Sequence, residues 1–457
     1  MSWVNGRKTQ RDADNVGGAL SVSKGASPDA RDRAATPLLA HSLPRFQATA
    51  SDYLDKAGDR VSAVRLKLRK AFTPAQPITD RWMFAGRNQV LARIITGIED
   101  QRLHTVLYGP RGIGKTSILH VLSQIARDAK YQVVYASCGS AASFDEMFRA
   151  VATEIPLMFH EAYGPTSPEA EKGGTVADLL PAGPISPRMA SDICARLAGT
   201  RVLVVLDEFD RCRSAEFPGD VAEFLKNLSD RTVRVQLVIA GVANNLEDLI
   251  EPDPMIQRNV LALEVPRMPT EEVIQLISNG ETMSGLGFDE AAKQQLQAAS
   301  VGLPYLASLL SQHAGLTALS AGRLSVTAAD VAVAIDTAIN EIKSRMPRRA
   351  LAEINRCAQD GTLQLLARLS QVAQLPKGEF TDGDIAALYS DPAHGAQATA
   401  AIKRLAAGEV LVQRVGDDTA QRFCFADESG LPYLWLLAGK AHLRPGESAA
   451  SSTPPRG

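Results

Sequence analysis

The chain is poor in disulfide chemistry, in long apolar runs and in net charge. Its five cysteines, Cys138, Cys194, Cys212, Cys357 and Cys424, are scattered, with no C-x-x-C pair among them. That spacing argues against a disulfide framework or a zinc site and fits reduced thiols. No apolar stretch approaches the roughly 20 residues needed to span a bilayer, and the polar, basic Ser2–Arg11 has no h-region of a signal peptide. The expected compartment is the cytoplasm, with no membrane partner. A net charge of −2 excludes a globally basic nucleic-acid coat and leaves room only for a local patch.

Hydrophobic residues make up 45% of the 457 positions, enough for ordinary buried cores. A chain of this length has room for two to four domains at roughly 100–200 residues each.

The most informative stretch is Gly109-Pro110-Arg111-Gly112-Ile113-Gly114-Lys115-Thr116, which matches G-x-x-x-x-G-K-[ST]. The apolar Thr105-Val106-Leu107-Tyr108 precedes it and an amphipathic run beginning at Ser117 follows it. Strand, glycine loop and helix is the context in which backbone N–H groups converge on phosphate, with the helix N-terminus adding its positive end. In that reading residues 109–117 hold a nucleotide. Lys115 reaches its β- and γ-phosphates, and the Thr116 hydroxyl holds magnesium.

A second signal is Val202-Leu203-Val204-Val205-Leu206-Asp207-Glu208. A short unbroken apolar run ending in carboxylates reads as a buried parallel strand that delivers charge to its carboxyl end. Asp207 would hold magnesium, directly or through water, and Glu208 would polarise an attacking water as general base. The alternative is two acids capping the next helix, and Asp210 is a further choice for metal or capping. The next strand, Val233–Ala240, leads to Asn244 and Asn245. Asn244 is the candidate to orient that water or touch the γ-phosphate, although Asn also caps helices well.

Residues 1–48 are rich in Gly, Ser, Ala, Asp and Arg and are expected to be disordered. An amphipathic helix from Ser51 to Phe72 follows, with Arg65, Lys67, Arg69 and Lys70 on its outer side, and residues 49–77 form this helix and a linker. The P-loop domain is placed at 78–268. Within it the Pro- and Gly-dense Tyr163–Pro187 reads as a long surface insertion. Residues 269–345 show only helical patterns, Pro269–Ser284, Asp289–Ala299, Pro304–Leu319 and Thr327–Ile339 with Thr327 as N-cap, and read as a helical lid. Residues 346–440 give helical patterns over Ala350–Gln371, Asp382–Tyr389 and Ala396–Ala407, then strands Val410–Gln413 and Arg422–Phe425 joined by Gly416-Asp417-Asp418. Helices then a hairpin is the layout of a winged helix. A closing helix over Leu431–Leu437 and a polar tail at 441–457 complete the chain. The expected fold class is an α/β P-loop NTPase core with a parallel sheet and flanking helices, then an all-α lid and a C-terminal winged helix.

With these parts in order, the chain resembles the AAA+ ATPases of the origin-recognition type and the related bacterial STAND-like ATP-binding proteins. The resemblance runs from about Phe72 to Leu437 and includes a turn at Phe84-Ala85-Gly86-Arg87, the glycine loop, Asp207-Glu208 and the sensor position at Asn244. It implies that Arg87 and its neighbours line an adenine pocket. It also implies that Arg258, in Met255-Ile256-Gln257-Arg258, is an arginine finger for a neighbouring subunit; a surface arginine at a strand start is the competing reading. The pattern departs from the family at Gly302-Leu303-Pro304-Tyr305, where many members carry a basic sensor-2 residue at the start of the third lid helix.

The expected function is therefore a cytosolic ATP- and Mg2+-binding switch, in which slow ATPase activity controls assembly, as a homo-oligomer in the ATP state, or binding to a protein partner. One alternative is a DNA-associated loader acting through the winged helix. Its third helix carries only Lys403 and Arg404 as cations, and Asp417 and Asp418 would repel phosphate at the wing tip. A second alternative is a non-catalytic scaffold stabilised by nucleotide.

Overall fold

The computed structural model describes residues 60–442, except 80, 232–233, 244–245, 247–248, 251–256, 360–378, 382, 385–391, 409, 416–420 and 426–429. The expectations for residues 1–48, for 441–457 beyond His442, for the helix over Asp382–Tyr389 and for the turn at Gly416 lie wholly or mostly outside that set.

Helix α1 (Arg60–Ala71) comes first, then α2 (Asn88–Glu99) and strand β1 (His104–Tyr108). They are followed by α3 (Lys115–Asp128), β2 (Gln132–Ser137), α4 (Phe144–Thr153), the one-turn α5 (Pro168–Glu171), α6 (Pro187–Cys194) and β3 (Val202–Asp207). Helix α7 (Phe217–Asp230) then leads to β4 (Val235–Gly241) and β5 (Val260–Glu264). The five strands make one parallel sheet in the order β2-β3-β4-β1-β5.

Every residue of β3 and of β4 is buried. Both faces of the sheet are covered, so these strands read as continuous apolar runs instead of alternating ones. Alternate strand residues feed different cores. Leu203, Val205, Val238 and Ala240 pack with α2 and α3, whereas Val204, Leu206, Leu237 and Ile239 pack with α4, α6 and α7.

The first of these cores continues without a break into a helical layer made by α8 (Thr270–Ser284), α9 (Glu290–Ser300), α10 (Pro304–Ser320) and α11 (Ala328–Arg345). Thr327 caps α11 through a capping box with Asp330. Two-residue strands β6 (Gly287–Phe288) and β7 (Ser325–Val326) pair in parallel across the layer. Helix α1 belongs to this layer. It packs on α8 and α10, with Phe72 edge-on to Phe288 at 6.0 Å and Gln312 Nε2 donating to the Phe72 carbonyl.

Helix α12 (Arg348–Gln359) opens the C-terminal part. Strand β8 (Glu379–Thr381), helix α13 (Pro392–Ala407), strands β9 (Leu411–Val415) and β10 (Gln421–Phe425) and helix α14 (Gly430–His442) follow. The strands form an antiparallel sheet in the order β8-β10-β9, with the rings of Phe380 and Phe423 6.0 Å apart. The order helix, strand, helix and hairpin is compatible with the expected winged helix and adds one strand, β8, that the hairpin reading did not include. Helix α14 packs back on α11 and α9.

The stretch Tyr163–Pro187 is more ordered than its composition suggests. It contains α5 and a single 3-10 turn at Val176–Leu179, and it buries Val176 and Ile185 in the second core. Ala177 and Leu180 pack beside them, and the apolar pieces are too short to show as a period. Among the described residues no helix is long and apolar enough to cross a membrane.

Candidate functional site

The sheet brings the glycine loop, the Asp207-Glu208 pair and the lid to the carboxyl ends of its strands. Strand β1 ends at Tyr108 and α3 begins at Lys115, so the loop lies between them as the motif demands. Gly109, Gly112 and Gly114 have φ of 143°, 77° and 98°. Gly114 is the left-handed N-cap of α3 and makes no side-chain cap, which leaves the first turn's N–H groups to an external acceptor. A Cβ on Gly112 would lie 3.1 Å from Tyr305 Cβ, so a side chain there would crowd the lid. The loop is a glycine-lined backbone turn of the kind whose N–H groups can converge on an anion.

Lys115 is buried, and its Nζ donates to the Gly109 carbonyl at 2.7 Å and the Pro110 carbonyl at 3.1 Å. The ammonium is therefore folded onto its own loop. Thr116 and Ser117 are half-buried at the start of α3, and Ser117 Oγ accepts the Ile78 N–H at 3.1 Å. Arg111 is exposed.

Asp207 is buried at the end of β3, and both of its oxygens are engaged. Tyr135 Oη donates to Oδ2 at 2.6 Å, and the Glu208 N–H donates to Oδ1 at 2.8 Å. Burial raises the Tyr135 phenol pKa, and the hydrogen bond to Asp207 raises it further, so it remains a donor. Glu208 sits at φ 54°, ψ 37°, a left-handed backbone rare for a residue with a Cβ. Its Oε2 accepts from Ser137 Oγ at 3.0 Å and from Arg211 at 2.7 Å. Burial works to raise this carboxyl, but the Arg211 and Ser137 hydrogen bonds outweigh it and hold the pKa below the ordinary carboxylate value. Asp210 caps the end of β4, accepting the Val242 N–H at 2.7 Å.

The family model nSTAND1, Novel STAND NTPase 1, matches residues 71–421. The chain belongs to that family. It is an NTPase of the STAND type. A comparison with curated proteins gives no match. Among solved structures the chain is similar to Cdc6p from Pyrobaculum aerophilum, at 15% identity and TM-score 0.41, over 82% of this chain and 99% of that one. It is similar to Drosophila ORC bound to DNA, at 14% identity and TM-score 0.43, over 86% and 95%. It is also similar to the Thermotoga maritima RuvB Holliday junction branch migration motor, at 15% identity and TM-score 0.38, over 56% and 70%. Scores this low say nothing of substrate or partner.

In this STAND NTPase, Arg87 is a buried tie between elements. Its own φ is 60°, its N–H donates to Glu272 Oε1 on α8, and its guanidinium donates to the carbonyls of Pro266 and Ile113. Burial lowers its pKa, against the opposing charge of Glu272. The residue thus joins the loop and the β5–α8 connection through its guanidinium and α8 through its backbone N–H. Any part it has in an adenine pocket is played from that position.

At the start of α10, where a basic residue was missing, Pro304 and Tyr305 face the loop. The Tyr305 N–H reaches the Gly112 carbonyl at 3.4 Å, and a Cβ on Gly114 would touch Pro304 at 3.7 Å. Arg258 is exposed in the turn before β5. Asn244 lies outside the described residues. Tyr135 and Ser137 belong to neither motif; their alternation on β2 puts both on the face that meets the two acids, and that period is their signal in the sequence.

Thr116 and Asp207 fit a magnesium site shared with nucleotide oxygens. Among the described residues no group of three His, Cys, Asp or Glu could hold a metal alone. Hydroxyl, carboxylate and phosphate oxygens are the hard donors such an ion takes.

Proposed function

We propose that the chain binds ATP with Mg2+, hydrolyses it slowly to ADP and phosphate, and uses nucleotide state to control assembly or partner binding. The observation that carries this reading is the seating of α10 on the glycine loop, with Tyr305 on Gly112 and Pro304 beside Gly114. A ligand filling the loop must be felt by the lid.

In this reading the N–H groups of residues 109–117 hold the phosphates, and Lys115 leaves the Gly109 and Pro110 carbonyls to meet them. Thr116 and Asp207 hold the metal, which neutralises phosphate charge when bound. Glu208 takes the proton of the attacking water, with Asn244 orienting that water. Arg258, exposed before β5, serves a neighbouring subunit in an ATP-state homo-oligomer. Slow turnover follows from Glu208 being engaged by Arg211 and Ser137 and from the missing basic residue at α10. The working units are the core at 78–268, the lid at 269–345 and the winged helix at 346–440. Free thiols at Cys138, Cys194 and Cys212 suit a cytoplasmic site. The DNA-loader reading gains little support, since α13 offers exposed Lys403 while Arg404 is half-buried.

The test is ATP binding by calorimetry in wild type and Lys115→Ala. Lys115→Ala is expected to keep its fold and lose most ATP affinity. Equal affinity in the two proteins would remove the glycine loop as the site.

A further inference from the structure

We propose that Tyr135 is a positioning residue for the magnesium site, holding the Asp207 carboxylate in one fixed orientation. The proposal rests on the ATP–Mg2+ reading above and adds to it a residue outside both nucleotide motifs.

The geometry begins at Asp207, which is buried and hydrogen-bonded on both oxygens, by Tyr135 Oη at 2.6 Å and the Glu208 N–H at 2.8 Å. Each carboxylate oxygen has about two acceptor sites, so each keeps one for a further donor. Two donors on different oxygens fix the plane of the group. A hydroxyl–carboxylate bond this short belongs to the strong, charge-assisted class.

The phenol is itself held. Tyr135 pairs with Val205 in the β2–β3 register, two residues before the Ser137–Asp207 pair, so Tyr135 and Ser137 share a face of β2. Its ring stacks on His120 with centroids 4.7 Å apart and planes 7° from parallel. His120 follows Thr116 by four residues in α3, which puts both on one side of that helix. One run of contacts, α3 to His120 to Tyr135 to Asp207, therefore spans the two candidate metal ligands.

Residues that orient a metal's ligands typically contribute about 10–100-fold to metal affinity. Phe at position 135 keeps the ring and the stack and removes only the donor. The experiment titrates the full chain with mant-ADP, in EDTA and at graded Mg2+, for wild type, Tyr135→Phe, His120→Phe and His120→Ala, with a thermal melt of each. For Tyr135→Phe, metal-free affinity is expected to match wild type, while half-saturation by Mg2+ moves up by about tenfold or more. His120→Phe, which can still stack, is expected to stay near wild type. His120→Ala, which leaves the phenol without its support, is expected to shift in the same direction as Tyr135→Phe. An unchanged Mg2+ midpoint in Tyr135→Phe overturns the proposal, whatever His120→Ala does. So does an equal loss of affinity with and without metal, which marks general damage. Binding by wild type that Lys115→Ala does not weaken would instead overturn the nucleotide reading on which the proposal rests.

Discussion

The guanidinium of Arg267 lies 4.4 Å from the ring centroid of Trp435, joining the connection after β5 to the last helix of the described chain. Arg267 also donates to the Val301 carbonyl at 2.9 Å, and burial pulls its pKa down to about 10. Its neighbours do similar work. The Pro266 carbonyl accepts from Arg87, and the Met268 N–H donates to the Gly302 carbonyl at 2.9 Å. Three consecutive residues therefore link the glycine-loop tie, the turn before α10 and helix α14.

Removing the ring should release α14 from the lid. Large-to-small changes at a buried Trp cost about 3–5 kcal/mol, and Trp435 is 8% exposed. In Trp435→Ala, hydrogen exchange in α14 should rise well before exchange in β3 and β4. Lys440, paired with Asp336 on α11, should lose its partner in the same step. Unchanged protection of α14 would show that the stacking does not hold it.

The turn into α10 depends on Gly302, whose φ is 71° and whose added Cβ would lie 2.6 Å from the Met268 carbonyl. Gly285 has the same backbone, φ 72°, with nothing within 4 Å of a Cβ. Gly285→Ala thus carries only the backbone strain, of order 1 kcal/mol. Gly302→Ala should melt lower than Gly285→Ala and bind nucleotide more weakly, because Pro304 and Tyr305 must shift off the loop. Equal melting temperatures for the two variants would contradict this account.

Freeing Glu208 should change both rate and pH dependence. Arg211→Ala removes the partner that holds this carboxylate and keeps its pKa low. Turnover is expected to rise, and the acid limb of the pH–rate profile should move to higher pH, since a base with a higher pKa is protonated sooner as pH falls. Glu208→Gln should abolish phosphate release while keeping nucleotide affinity. Persistent phosphate release in Glu208→Gln would rule it out as the base.

His104 gives the core a pH signature. It is buried in β1, its Nδ1 accepts the Leu237 N–H at 3.0 Å, and burial lowers its pKa to about 4. In the unfolded chain the ring titrates near its ordinary value of about 6.5, so between those values the unfolded state binds more protons. Stability should be unaffected above that window and fall by up to about 1.4 kcal/mol per pH unit within it as pH drops. His104→Asn can still accept the Leu237 N–H through its side-chain oxygen and should flatten this part of the curve, as read by chemical denaturation from pH 7 to 4.

Much of the architecture was legible because its signals are local. The glycine loop, the apolar run of β3 and the lid's helical periods each occupy one stretch, and each forms the element it suggests. The strand β8 was missed because three residues carry no period. The partner of α1 was invisible because an amphipathic stripe shows that a face is buried without showing what covers it. Phe72 settles that only by meeting Phe288. Val176 and Ile185 went unseen as anchors for the same reason: short apolar pieces between Pro and Gly give no sustained pattern until the second core closes on them.

By itself the sequence determined the glycine loop and the buried strand β3, since the conformations of Gly109–Thr116 and the apolar content of Val202–Leu206 follow from residue type and short-range order. Tertiary structure alone decided what surrounds them. Tyr135 and Asp207 are 72 residues apart, and Arg87 and Glu272 are 185 apart. Tyr305 reaches Gly112 only because the packing of the lid helices brings the start of α10 to the loop. Contacts over such distances depend on which strands pair and which helices pack, and no local pattern encodes them.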